Sequence, residues 1–81
     1  MSRIPPHSGD EMVRALLRDG FTHDRTVGDH AVLTKPGLSR PVVVPLKKEL
    51  PSFVIANNLR TAGISRKRYL ELLGKREPSP N

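Results

Sequence analysis

The chain has no cysteine and no tryptophan, and its only aromatic residues are two phenylalanines and one tyrosine. Without thiols there can be no disulfide, no thiolate metal site and no cysteine nucleophile, which suits a reducing compartment. So few aromatics argue against a sheet that stacks bases on exposed rings. Long apolar runs are missing too. Stretches such as PVVVPL at 41–46 fall well short of the roughly 20 residues a membrane helix needs. The opening MSRIPPHSGDE lacks the apolar segment of a secretory signal. A soluble, cytoplasmic protein is expected. At 81 residues there is room for one small domain and none for a dedicated cofactor fold.

Acid is scarce over half of the chain. The formal net charge is +6, and it is unevenly spread. Up to Asp29, four arginines (Arg3, Arg14, Arg18, Arg25) meet Asp10, Glu11, Asp19, Asp24 and Asp29. From His30 to Leu70 the bases are Lys35, Arg40, Lys47, Lys48, Arg60, Arg66, Lys67 and Arg68, against Glu49 alone. A surface polarised in this way favours a polyanion, of which nucleic acid is the common one. A solvated basic face, or one that meets an acidic protein, has the same composition.

What is present reads as α-β-β-β-α-α. Residues 1–7 form a leader, with Pro5 and Pro6 blocking an earlier helix. Ser8 and Glu11 have capping-box spacing, Val13, Leu16 and Leu17 follow on one face with Met12 at its edge, and Gly20 stops the helix. The first helix is therefore predicted over about residues 9–19. Phe21–Val27 is a short polar strand with Phe21, His23, Arg25 and Val27 on one side. Gly28-Asp29 makes a turn, His30–Lys35 a second strand, Pro36-Gly37 another turn, and Pro41–Leu46 a third strand kept near an edge by its prolines. Pro51 fits the first turn of a second helix, with Ile55, Leu59 and Ala62 as its apolar stripe and Gly63 as its end. Ser65 caps a third helix that Gly74 stops, and 75–81 is a tail. One domain over 8–74 results. It is an α+β sandwich in which a three-stranded antiparallel sheet carries helices on one face and leaves the other wet.

Candidate chemistry narrows to a single histidine. No carboxylate pair stands out, and no elbow motif places a serine nucleophile. His23, Asp24, Asp29 and His30 lie close in sequence but follow no metal-ligand spacing, so neither metal nor cofactor is expected. RNA cleavage without metal requires that the 2′-hydroxyl lose a proton, the leaving 5′-oxygen gain one, and the extra phosphorane charge be stabilised. An imidazole serves for the first two and lysine or arginine for the third. His30 opens a strand directly after a turn, where a side chain is held rigidly yet meets solvent. Lys35, Arg40, Lys47 and Lys48 come from the neighbouring strand and loops. The alternative is an ordinary turn histidine bonded to the Gly28-Asp29 corner. Tyr69 reads as a packing residue, and His7 and His23 receive no role.

Taken in order, SGDEMVRALLRDGF (8–21), GDHAVL (28–33), VVVPLKKEL (42–50) and LRTAGISRKRYLELL (59–73) resemble the HicA family of toxins. These are the mRNA interferases of type II toxin–antitoxin modules. The resemblance implies a fold like the double-stranded-RNA-binding domain and an endoribonuclease that acts on mRNA without metal. It implies a HicB-like antitoxin covering the active face. His30 falls on the family's catalytic histidine and Gly28 on the glycine before it. Asp29 stands where the family usually has serine, and Ala31 where a second histidine or a bulky residue often follows. A carboxylate beside His30 can orient the ring, and it also repels phosphate. The leading expectation is thus a toxin that cleaves mRNA with His30 as general acid/base, aided by Gly28, Lys35, Arg40, Lys47 and Lys48. The alternatives are a module of the same fold that binds RNA without cutting it, and a basic adaptor for an acidic protein.

Overall fold

A computed structural model describes residues 7–74. Most of the expected leader and the whole of the expected tail lie outside them. Helix α1 spans Gly9–Arg18, strands β1, β2 and β3 span Thr22–Val27, His30–Thr34 and Val42–Pro45, and helices α2 and α3 span Ser52–Ala62 and Arg66–Leu73. The sheet is antiparallel in the order β1-β2-β3. It is the expected α+β architecture.

Each boundary has a local cause. The Ser8 hydroxyl accepts from Glu11 N–H at 3.1 Å while the Glu11 carboxylate accepts from Ser8 N–H at 2.9 Å, which completes the capping box. Ser65 Oγ accepts from Arg68 N–H at 3.0 Å and starts α3. Pro51 is the N-cap of α2 and not its first helical residue.

The apolar faces meet in one layer. Met12, Ala15 and Leu16 of α1, Ala31 and Leu33 of β2, Val42 and Val44 of β3, Ile55 and Leu59 of α2, and Tyr69 and Leu72 of α3 share a buried cluster. Two sequence expectations shift here. The inward arc of α1 is centred on Met12, Ala15 and Leu16, at i, i+3 and i+4, so Leu17, about 100° further round, is 44 % exposed. In β1 the pairing jumps from His23↔Leu33 to Arg25↔Val32, so Asp24 is an extra residue and the strand bulges. The expected alternation therefore breaks. Arg25 and Val27 share one side, whereas His23 turns to the other and its Nε2 meets Thr26 Oγ1 at 2.8 Å.

Ala31 and Leu33 point to the helices, so His30, Val32 and Thr34 point to the open face of the sheet. The register sets Val27, His30 and Pro45 in one row there, with Arg25, Val32 and Val43 in the next.

Candidate active site

The site is built on the turn between β1 and β2. Val27 pairs with His30, which leaves Gly28 and Asp29 as a two-residue loop. Gly28 has φ 60° and no non-glycine residue among those described has positive φ, the sign pattern of a type II′ turn with glycine leading. A side chain at position 28 would be strained, so the glycine that precedes the histidine has a backbone reason.

The turn presents His30 on the open face with its side chain about half exposed, 48 %. The Asp29 carboxylate lies 2.8 Å from His30 Nδ1. That is the contact an ordinary turn histidine makes, and it also has a chemical result. With Nδ1–H donating to Asp29, the neutral ring carries its free lone pair on Nε2. The carboxylate at position 29 thus orients the imidazole. Both side chains are substantially exposed, so the bond adds little to stability.

Two lysines follow from the same corner. His30 pairs with Pro45, and the Asp29 carbonyl accepts from Leu46 N–H at 2.7 Å. Lys47 and Lys48 come next in the chain and are both exposed. The other expected bases lie elsewhere. Lys35 follows the far end of β2, about 16 Å from His30 at ~3.3 Å per strand residue. Its ammonium bonds Asp19 Oδ2 at 2.9 Å and sits 5.2 Å from the Phe21 ring centre. Arg40 is exposed in the loop at that same far end. The chain path therefore puts Gly28 and His30 at the corner from which the loop with Lys47 and Lys48 departs, and leaves Lys35 and Arg40 at the other end of the sheet.

This geometry lies inside the stretch that matches a known family. A family model described as the HicA toxin of bacterial toxin–antitoxin systems matches residues 9–64. The chain belongs to the HicA toxin family. No curated protein matches it. Membership makes it a toxin-type component and implies an antitoxin partner. No helix among the described residues of this HicA protein is long and apolar enough to cross a membrane. No group of three His, Cys, Asp or Glu side chains among them is placed to hold a metal ion.

Sequence reasoning missed two residues of this HicA chain. His7, expected in the leader, is 3 % exposed and packed against Tyr69. Asp19 was counted only as an acid, yet it joins three elements. Its Oδ1 accepts from Arg68 Nη2 at 3.2 Å while Oδ2 takes Lys35, with the carboxylate side chain only 12 % exposed. Neither has a local motif, because their partners come from distant parts of the chain.

Asp19 carries a stability prediction. The Lys35 hydrogen bond, ahead of the Arg68 contacts, holds its carboxyl below the usual carboxylate range, although burial pushes the other way. Folding lowers this pKa, so the stabilisation is complete above about pH 4 and is lost as pH falls through the folded value. Asp19→Asn is expected to cost about 1–3 kcal/mol at pH 7 and much less at pH 3. Urea unfolding of both proteins at the two pH values checks it. An equal loss at both would mean that the charge is not what matters.

Proposed function

We propose that this HicA-family toxin is a metal-independent endoribonuclease that cleaves mRNA at the Gly28–His30 corner. The observation that carries the reading is the half-exposed His30 ring, held through Nδ1 by Asp29 at the turn whose Asp29 carbonyl bonds the start of the Lys47–Lys48 loop. The 2′-oxygen of the substrate attacks the adjacent phosphorus and the bond to the 5′-oxygen breaks. Products are a 2′,3′-cyclic phosphate and a 5′-hydroxyl. His30 takes the 2′-proton and delivers one to the leaving oxygen. Lys47 and Lys48 sit where their charge offsets that of the phosphorane. Gly28 contributes the turn. Lys35 and Arg40 lie further along the sheet, toward flanking phosphates, with Lys35 largely neutralised by Asp19. A HicB-like antitoxin that covers the open face would block access to His30, and action on mRNA places the toxin in the cytoplasm.

The test is incubation of a long unstructured RNA with the purified protein in EDTA, beside its His30→Ala variant. Cleavage by the first alone supports the reading. Binding of RNA by both with cleavage by neither would make the protein an RNA-binding relative of the toxins, and equal cleavage by both would remove His30 from the chemistry.

The lysines are tested separately by Lys47→Ala combined with Lys48→Ala. RNA affinity is expected to fall about tenfold, and the slope of log affinity against log salt to shrink by about 1.4 for two lost single-strand phosphate contacts. A filter-binding series over salt concentration reads both. An unchanged slope would show that these lysines touch no phosphate.

A further inference from the structure

His7 lies outside the residues that match the family and is buried. Its ring centre is 5.2 Å from that of Tyr69 on α3, and its Nε2 is hydrogen-bonded to the Tyr69 hydroxyl. Tyr69 is itself fully buried, and burial, together with the charge of Glu11, pushes its phenol well above the usual range.

The backbone beside this pair makes two bonds toward the site. The His7 carbonyl accepts from Leu50 N–H at 2.8 Å, and Gly9 N–H donates to the Lys47 carbonyl at 2.8 Å. Residues 7–9 thus run as a strap along the loop between β3 and α2. At the other end of that loop, Leu46 N–H holds the Asp29 carbonyl at 2.7 Å. A continuous set of bonds leads from α3 through His7 and the loop to the turn before His30.

We propose that His7 is a positioning residue: its bond to Tyr69 latches the strap to α3, and the strap holds the loop carrying Lys47 and Lys48 and the turn that presents His30. The proposal rests on the reading of His30 as the cleaving group. A hydrogen bond suits this task better than an apolar contact because it fixes direction as well as distance.

Amide hydrogen exchange and RNA cleavage together test it, in Tyr69→Phe, His7→Leu and His7→Gln. Removing the hydroxyl or the imidazole is expected to speed exchange at Gly9, Leu46 and Leu50 roughly five- to tenfold, the equivalent of one ordinary hydrogen bond. Exchange at Leu38 and Ile64, whose bonds lie elsewhere, stays unchanged. In cleavage, kcat/KM falls by a similar factor, because the loop with Lys47 and Lys48 and the turn before His30 loosen together. His7→Gln, whose terminal amide reaches the same hydroxyl, restores both. Should His7→Leu fail to fold, Tyr69→Phe carries the test, since it removes a single hydroxyl.

Unchanged exchange at Gly9 and Leu50 would overturn the latch. A uniform rise at all amides would overturn it too, by showing a purely global loss of stability. The expected exchange pattern in a protein that cleaves no RNA would uphold the latch and sink the nuclease reading instead.

Discussion

Gly9→Ala is expected to cost about 3 kcal/mol or more, the upper end for overpacking, and to abolish a cooperative thermal transition near that of the parent protein. A Cβ on Gly9 would lie 2.0 Å from the Pro45 carbonyl oxygen and 2.9 Å from Leu46 Cα. Both are backbone atoms, so no side chain can swing aside to make room. Relief requires α1 to move away from the loop. That movement breaks the bond from Gly9 N–H to the Lys47 carbonyl and opens the edge of the core beneath Met12. For a domain of this size, each kcal/mol is worth about 4–8 °C in Tm. The variant should therefore melt at least about 12 °C lower, by circular dichroism. A Tm within about 2 °C of the parent would mean that helix and loop separate freely. The Ser-Gly that opens α1 is thus a packing requirement, and capping explains only its serine.

His30→Ala should have the opposite signature, with activity lost and the fold kept. General acid–base groups contribute about 100- to 10,000-fold, so cleavage should fall by that factor. The side chain is about half exposed on the uncovered face and takes no part in the buried cluster, so stability should change by no more than about 0.5 kcal/mol. RNA affinity should change little, because the lysines that meet phosphate are untouched. Single-turnover cleavage measured beside urea unfolding separates the two effects. A variant that loses activity in proportion to stability would show that His30 supports the turn and does no chemistry.

The elements of the fold were legible in the sequence wherever a residue acts on its own neighbours. Ser8 with Glu11 announced α1, Gly63 and Gly74 announced the ends of α2 and α3, and Gly28-Asp29 announced the hairpin. These signals work because capping and turn formation are decided within about four residues. The bulge at Asp24 was not legible. An extra residue in a polar edge strand changes neither composition nor any burial pattern, since all of β1 is exposed. The histidine's corner was readable from Gly28 and His30. Which bases join it was not, because Lys35, Lys47 and Lys48 look alike in sequence. Only register and the Asp19 ion pair place Lys35 at the far end. His7 and Tyr69 meet across nearly the whole chain, and nothing local distinguishes a buried histidine from one in a leader.

The bulge has a consequence for how other molecules approach. Of the two sheet edges, that of β3 lies alongside α2, where the Asn58 amide donates to the Val43 carbonyl at 3.1 Å. The strand at the other edge, β1, is exposed at every residue, and an open edge invites another chain to add itself as a further strand. Asp24 interrupts the spacing of backbone donors and acceptors at mid-strand, so an incoming strand cannot stay in step along the whole of Thr22–Val27. Self-templated polymerisation is discouraged at its starting point.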